Sequence, residues 1–338
     1  MTLSKSPQIY RLAQDLRLRI KPSDDPVAAL LSYCDRQINR MLVGVADCNT
    51  LAQLLDWVAN KVGTSFEVVS SDEALSRVQS KYVAQNETGF AALDQELSGD
   101  CFGITFKRCN REPWEPQYVS VIDARGKKAA RVYFTKWHEI AHLLTQTDQM
   151  RLVFRRTHSS INHHDPEEQL MEVIAASVGF YEPLVHRFIN DEISFDVIER
   201  LRTKLCPEAS KQSALINFPK RWISPVVLIR AELGFNKDEE ARLNQGAFDF
   251  TDAVRPTLRA VHVTPNELAR KSGLIIHQNM RVPANSIIHE VFEQSLRNGE
   301  SEEDLSWWES RGKALDPYPI KVKARRTFKG VDVLIVPA

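Results

Sequence analysis

Residues 133–145 read YFTKWHEIAHLLT, and the interpretation of the whole chain depends on this stretch. His138 and His142 are four residues apart, and Glu139 directly follows the first histidine. On an α-helix, positions i and i+4 lie on one face, so both imidazoles can bind one metal ion. Glu139 lies about 100° around the helix axis, where its carboxylate can accept a proton from an attacking water. The spacing is the HExxH pattern of zinc hydrolases, and it predicts a Zn²⁺ site with Glu139 as the catalytic base.

A catalytic zinc ion needs a third protein ligand, and the segment EEQLMEVIAAS supplies the best candidate. Glu168 and Glu172 are four residues apart on this predicted helix and share one face. We expect Glu168 to be the third ligand and Glu172 to accept a hydrogen bond from a liganding histidine. His163 and His164 are an alternative, although they lie in a polar stretch before Pro166, where exposed histidines are common.

Length, charge and cysteine usage limit the classes of protein to consider. A chain of 338 residues predicts two domains. Lysine plus arginine and aspartate plus glutamate number 44 each, so no global attraction to nucleic acid or an anionic membrane is expected. Five widely spaced cysteines without a CxxC argue against a disulfide framework and for a reducing compartment. The N-terminus lacks the apolar core of a secretory signal, and no apolar run reaches membrane-spanning length, so we expect a cytoplasmic protein with no membrane partner.

Hydrophobic periodicity predicts an α+β fold. Apolar residues at helical spacing fill residues 8–62 and, after short strand-like segments, much of residues 166–245. The run YVSVIDARGKKAARVYF (118–134) predicts a hairpin whose second strand leads into the HExxH helix, with Thr135 as the N-cap. The run SPVVLIRAELG (224–234) is predicted to be helical and closed by its glycine.

The predicted domains follow from these patterns. Residues 1–245 are expected to form a mostly helical domain with a small antiparallel sheet. Residues 246–256 are a predicted linker, and residues 257–338 mix strands with one or two helices, as in a small α/β sensor domain.

The metal-site residues also match a known family. The segment RVYFTKWHEIAHLLT, followed by a helix with an acidic residue and IAA before YEP, resembles the ImmA/IrrE metallopeptidases. These gluzincin-like zinc proteases carry FT-x-x-HE-x-x-H and then E-x-E-A-N-x-FAA-x-LL-M-P. Aligned on IAA, the first family glutamate falls on Glu168 and the family asparagine or aspartate on Glu172. Leu170 and Met171 depart from the pattern, and the resemblance covers roughly residues 30–235.

The resemblance implies an endopeptidase of narrow specificity. Such enzymes cleave a helix-turn-helix transcriptional repressor and so derepress a stress or antiphage-defence operon. The length and two-domain layout look most like the CapP-type members that accompany CBASS antiphage systems, in which DNA damage, sensed as single-stranded DNA, stimulates cleavage. The first domain is then zincin-like, and the C-terminal domain is GAF-like, as in some members.

Several residues are candidates for supporting roles. Cys109 follows a strand-like segment beside cationic residues that favour the thiolate, so it is a candidate inhibitory zinc ligand. The developing oxyanion needs a donor besides zinc, for which Tyr133, Tyr181 and His158 are candidates. Two basic runs interleaved with aromatic residues are candidate contacts for single-stranded DNA. These runs contain Arg151, Arg155 and Arg156, and Lys321, Lys323, Arg325 and Arg326.

Two alternatives remain open at the level of the sequence. In the first, Cys109 is a permanent metal ligand and the chain is a deformylase-like zinc amidohydrolase. In the second, the metal is structural and the chain is a non-proteolytic DNA-damage sensor or transcriptional cofactor. Glu139 discriminates between the proteolytic and structural readings, because a structural metal site has no use for a general base.

Overall fold

The computed structural model describes residues 3–45, 48–97, 99, 101–146, 165–236, 239, 255–310 and 312–338. The chain forms two compact units, Met1–Val185 with Leu201–Ser213, and His186–Arg200 with Ala214–Ala338. Helices and small sheets are both present, as the predicted α+β class requires. Among the described residues, no helix is long and apolar enough to cross a membrane.

The first unit is mainly helical, and its helices begin where the sequence places capping residues. Asp25 accepts a hydrogen bond from the Val27 amide at the start of α2, and Thr50 forms a capping box with Gln53 at the start of α3. The helices are α1 (Pro7–Asp15), α2 (Pro26–Leu42), α3 (Leu51–Val62), α4 (Asp72–Val83), α5 (Leu93–Glu96), α6 (Val132–Leu144), α7 (Pro166–Gly179) and α8 (Glu182–Val185).

A three-stranded sheet in this unit lies against α6. Its strands are β1 (Thr64–Val69), β2 (Gly103–Lys107) and β3 (Tyr118–Asp123), in the order β1-β3-β2. β2 is antiparallel to β3, but β1 is parallel to it, so the prediction of an antiparallel sheet is wrong for one of the two pairings. A long connection that includes α4 separates β1 from the other strands, which permits the parallel pairing.

The hairpin predicted at 118–134 does not form. β3 ends at Asp123, a 3₁₀ helix follows at Gly126–Arg131, and α6 begins directly at Val132. The Asp123 carboxylate accepts hydrogen bonds from the backbone and guanidinium of Arg125 and from Lys128, and these bonds turn the chain away from a second strand. Thr135 consequently lies inside α6, where it is buried, and is not the N-cap.

The second unit contains a five-stranded antiparallel sheet. Its order is β5-β4-β10-β9-β6, and a small two-stranded ribbon pairs β7 with β8. The strands are β4 (Val227–Gly234), β5 (Thr257–Pro265), β6 (Asn298–Asp304), β7 (Glu309–Ser310), β8 (Lys313–Ala314), β9 (Pro319–Arg326) and β10 (Gly330–Pro337). The remaining helices are α9 (Phe195–Leu205), α10 (Lys211–Lys220), α11 (Glu267–Ser272) and α12 (Ile287–Glu293).

The segment predicted as a helix at 224–234 is instead strand β4. Val227, Ile229 and Ala231 enter the core of this unit together with alternate residues of β9 and β10. Period-two burial of this kind belongs to a strand rather than to a helix. Because β4 lies between β5 and β10, residues well before the predicted boundary at 245 contribute to the C-terminal sheet.

Candidate metal centre

Two neighbouring helices bring three possible metal ligands together. His138 and His142 lie one turn apart on α6, and Glu168 lies in the first turn of α7. Nε2 of His138 is 3.2 Å from Nε2 of His142 and 3.2 Å from Oε2 of Glu168. Nε2 of His142 is 3.6 Å from Oε1 of Glu168. The predicted ligands are therefore adjacent, and each offers one ligand atom within 4.8 Å of the other two.

The position at which helix α7 begins places Glu168 next to the two histidines. Asp165 is the N-cap and accepts a hydrogen bond from the Glu167 amide, and Pro166 occupies the first helical position. The side chains of His138 and His142 are 13% and 11% exposed, whereas that of Glu168 is 37% exposed, so the cluster is reached from its carboxylate side.

The separations of the three groups fit a zinc ion. Zn²⁺ bonds to nitrogen and oxygen are about 2.0–2.2 Å long in a tetrahedral site, which gives ligand–ligand distances of about 3.4 Å. The observed separations of 3.2, 3.2 and 3.6 Å bracket this value. Two imidazoles and one carboxylate are also a donor set found in catalytic zinc sites, where one coordination position stays open. The residues present therefore fit the ion that the sequence predicts.

Glu139 lies beside the cluster but is not part of it. The residue is only 1% exposed, and its carboxylate contacts strand β2 of the sheet. Thr105 on β2 donates a hydrogen bond from Oγ1 to Oε2 of Glu139 over 2.7 Å. A buried carboxylate that neighbours the ligands without joining them is suited to a general base.

Glu172 does not take the position predicted for it. Its carboxylate is 55% exposed, and Oε1 lies 4.0 Å from Nη2 of Arg131 at the start of α6. The helices run in opposite directions, so the residue one turn after Glu168 faces the beginning of α6 and not its histidines. The ion pair with Arg131 replaces the predicted contact with a liganding histidine.

The two tyrosines proposed as oxyanion donors use their hydroxyl groups elsewhere. Tyr133 donates to the carbonyl of Gly179, and burial raises the pKa of Tyr133 well above its ordinary value. Tyr181 donates to Oδ1 of Asn39. Both hydroxyls serve the packing of the helices, and the third candidate, His158, lies outside the described residues.

Cys109 is not a member of the metal cluster. It is exposed, lies two residues beyond the end of β2, and its amide donates to Oε2 of Glu87. Thr105, which binds Glu139, lies four positions earlier on this strand, and among the described residues Cys109 does not join the three whose ligand atoms lie within 4.8 Å of one another. This placement argues against both the inhibitory and the permanent ligand role considered for Cys109.

The C-terminal basic run is already paired with acidic and carbonyl groups. Lys321 and Lys323 both contact Glu192, and Lys323 also donates to the carbonyl of Ile193. Arg325 stacks on the ring of Phe195 and Arg326 on that of Phe292. Oδ2 of Asp332 lies 3.8 Å from Arg325, and the carbonyl of Phe292 accepts from Arg326. Each of these four cations therefore already has a partner within the second unit. The other run, with Arg151, Arg155 and Arg156, lies outside the described residues.

Three residues that contact Glu139, or support its contact, were missed by the sequence analysis. They are Gly103 and Thr105 of β2 and Ser120 of β3. The signal that could have revealed them is the pattern G-I-T-F-K, in which small or hydroxyl residues alternate with large apolar ones. Alternate residues of a strand share a face, so this pattern predicts one apolar face and one polar face.

Comparison with known proteins adds little to this geometry. No protein-family model matches the chain, and no curated protein matches it. Among solved structures, a Mycobacterium tuberculosis transcriptional regulator is similar over 100% of this chain and 82% of that chain, with a TM-score of 0.40 and 11% identity. A similarity of this size carries no argument about function, so the function is inferred from the site.

Proposed function

We propose that the protein is a zinc-dependent endopeptidase. The observation that carries the proposal is the convergence of His138, His142 and Glu168 at separations of 3.2 to 3.6 Å, with Glu139 buried next to them. A purely structural metal site does not need a carboxylate in that position. The first unit is then the zincin-like protease domain that the family resemblance implies.

Each residue of the site has a distinct role in this proposal. His138, His142 and Glu168 would hold the metal and leave one position open to substrate. Bound Zn²⁺ would act as a Lewis acid toward the scissile carbonyl and the attacking water. Glu139 would accept the proton of that water and return it to the leaving amine. The 37% exposure of Glu168 leaves a route by which a substrate segment can approach.

The substrate and the regulation follow from the resemblance and not from the geometry. The proposed substrate is a helix-turn-helix transcriptional repressor whose cleavage derepresses a stress or antiphage-defence operon, with single-stranded DNA as a candidate activator. The proposed GAF-like assignment of the second unit is supported by its five-stranded antiparallel sheet, which α11 and α12 flank. The paired cations of β9 leave that strand poorly suited to be the DNA contact.

Purified protein should be tested on the product of a neighbouring helix-turn-helix gene, with single-stranded DNA present and absent. We expect a discrete cut that 1,10-phenanthroline abolishes and Zn²⁺ restores. Glu139→Gln should bind zinc at the wild-type ratio and cleave about 10²–10⁴-fold more slowly. A Glu139→Gln protein that cleaves and signals normally would instead favour the non-proteolytic sensor. Formate release from a formylated peptide without proteolysis would favour the amidohydrolase.

A further inference from the structure

A row of three buried hydroxyl groups crosses the sheet beneath α6 and ends on Glu139. Oγ1 of Thr64 on β1 lies 3.0 Å from Oγ of Ser120 on β3, and Ser120 lies 2.7 Å from Oγ1 of Thr105 on β2. Thr105 then donates to Oε2 of Glu139 over 2.7 Å. The four residues are between 0% and 4% exposed, so water does not compete for these bonds.

The carboxylate of Glu139, at the end of the row, determines which hydroxyl donates in each hydrogen bond. An ionised carboxylate accepts hydrogen bonds only, and Thr105 has a single hydroxyl proton, which it gives to Glu139. Ser120 must then donate to Thr105, because each hydroxyl has one proton. Thr64 can donate to Ser120 over 3.0 Å or to the carbonyl of Ser65 over 3.4 Å, and the shorter contact continues the row. The O–H dipoles of Thr105 and Ser120 thus point toward the carboxylate, and hydroxyls aligned in this way strengthen each other's hydrogen bonds.

On the opposite face of the sheet, β2 and β3 carry apolar side chains. Ile104 and Phe106 of β2, and Val119 and Val121 of β3, belong to the apolar cluster on the other side of the sheet. Burying a hydroxyl costs free energy unless it is hydrogen-bonded, so apolar residues are the ordinary choice at an interior face. In β2 and β3 the hydroxyls of Thr105 and Ser120 therefore lie on the face that touches Glu139, while the residues named on the other face are apolar, which points to a role at the carboxylate.

The two oxygens of Glu139 meet different surroundings on β2. Oε2 is bound by Thr105, whereas Oε1 faces Gly103, 3.3 Å from the point where a Cβ atom would stand. Such a Cβ would also lie 2.7 Å from Cγ2 of Thr135. Residues 103 and 105 share one face of the strand, so the first leaves room at one oxygen while the second holds the other.

We propose that Thr105, oriented by Ser120 and Thr64, is a positioning residue for the general base. By holding Oε2 it fixes the position of the Glu139 carboxylate, which accepts the proton of the attacking water in the proposed reaction. This inference rests on the proposed function of the site, since it assigns Thr105 to the same reaction. Thr105 acts through Glu139, since its hydroxyl binds Oε2 of Glu139 and Oγ of Ser120 and is not part of the metal cluster.

The test compares Thr105→Val, Thr105→Ser and Ser120→Ala in the full-length, zinc-loaded protein. Valine keeps the shape of threonine without its hydroxyl, and serine keeps the hydroxyl. With fluorescein-labelled casein and the candidate repressor as substrates, Thr105→Val should lower kcat roughly 10-fold, with KM and zinc content unchanged. Thr105→Ser should restore most of the rate. In a Glu139→Gln background, Thr105→Val should cause no further loss, because the group it positions is gone.

A second readout does not depend on catalysis. In protein labelled with ¹³C at glutamate Cδ, the resonance of Glu139 is identified by its absence from Glu139→Gln. Thr105→Val should move this resonance by more than its linewidth, Ser120→Ala should move it less and in the same direction, and Thr105→Ser should leave it near the wild-type position. Equal loss of rate in Thr105→Val and Thr105→Ser, or a Glu139 resonance unmoved by Thr105→Val, would overturn the inference.

The two readouts separate this inference from the proposed function. If the wild-type protein cleaves no substrate while the Glu139 resonance follows the expected pattern, endopeptidase activity fails and the contact that positions Glu139 stands. If the wild-type protein cleaves its repressor and Thr105→Val cleaves it equally fast, the endopeptidase stands and the positioning role is excluded. A lower melting temperature with reduced zinc content in Thr105→Val, uncorrected by serine, would identify Thr105 as structural only and reject the inference.

Discussion

Glu168 and Glu172 lie one turn apart on α7, yet their carboxylates serve different partners. Oε2 of Glu168 is 3.2 Å from Nε2 of His138, whereas Oε1 of Glu172 is 4.0 Å from Nη2 of Arg131. Both residues are glutamates on the same helix, and they differ in their position relative to the histidines. Each is therefore a suitable control for the other.

Glu168→Gln should greatly weaken metal binding, while Glu172→Gln should not. Loss of the charged ligand removes one of the three groups of the cluster. Replacing a residue that only hydrogen-bonds to a metal ligand lowers metal affinity about 10–100-fold, so we expect loss of a ligand itself to lower zinc affinity by ~100-fold or more. Zinc stoichiometry after dialysis and competition with a chromophoric chelator would measure this. Equal affinities in the two variants would remove Glu168 from the metal site.

Gly103→Ala should destabilise the protein because the added methyl group collides with α6. Its Cβ would lie 2.7 Å from Cγ2 of Thr135 and 3.3 Å from Cδ1 of Ile122. Forcing a methyl group into a packed core costs about 1–3 kcal/mol in the free energy of unfolding. Gly89→Ala in the same unit is the control, since its Cβ would meet Phe106 at an ordinary 3.5 Å. Urea unfolding compares the two, and equal midpoints would contradict the expected clash.

Asp123 should make stability depend on pH in the acid range. Burial acts to raise the pKa of Asp123, but hydrogen bonds from Arg125 and Lys128 outweigh it and hold this pKa below its ordinary value. A carboxylate with a depressed folded-state pKa contributes stability that is present above its unfolded pKa of about 3.9 and is lost as pH falls through the folded value. We expect the free energy of unfolding to fall below about pH 4 for this reason.

Asp123→Asn should lower stability at pH 7 by at least about 1 kcal/mol and flatten part of the acid dependence. Asp72→Asn is the control, because Asp72 contacts the same Arg125 but its side chain is 84% exposed. An exposed ion pair contributes about 0–1 kcal/mol, so this variant should remain close to the wild type. Denaturant unfolding at pH 3.5, 5 and 7 measures both, and identical pH curves for Asp123→Asn and the wild type would refute the assignment.

Lys323→Met should destabilise the second unit more than Lys321→Met. Lys323 is only 8% exposed and binds both Oε1 of Glu192 and the carbonyl of Ile193 over 2.8 Å. Its replacement leaves a buried carbonyl without that donor, which costs about 1–3 kcal/mol. The side chain of Lys321 is 29% exposed, and its carboxylate partners are about half exposed, so its loss should cost less. Chemical unfolding followed by tryptophan fluorescence tests the ranking, which a larger effect at Lys321 would reverse.

Local patterns were sufficient to predict which three residues converge in the candidate metal cluster. The spacing of His138 and His142 depends only on the helical repeat, and Asp165-Pro166 marks the start of the helix that carries Glu168. Glu172 was misplaced because its neighbours depend on the antiparallel packing of α6 and α7, which no local pattern encodes. Thr105 was missed for the same reason, since the pairing of β2 with β3 places it beneath α6.

Strand β4 shows where periodicity fails. Val226, Val227, Leu228 and Ile229 are all buried, so the segment reads as a continuous apolar run. Such a run is compatible with a buried strand and with a buried helix alike. The pairing partners β5 and β10 decide for the strand, and both lie more than 20 residues away in sequence.

Each of the two units is built from two separate segments of the sequence, which limits where the chain can be truncated. A stop codon after residue 245 would leave β4 without β5 and β10 on either side, with two rows of unpaired amides and an uncovered apolar face inviting aggregation. Ending the chain at Val185 would instead remove Leu201–Ser213 from the unit that carries the candidate metal cluster. A fragment that contains one whole unit would therefore have to join two separate segments of the sequence.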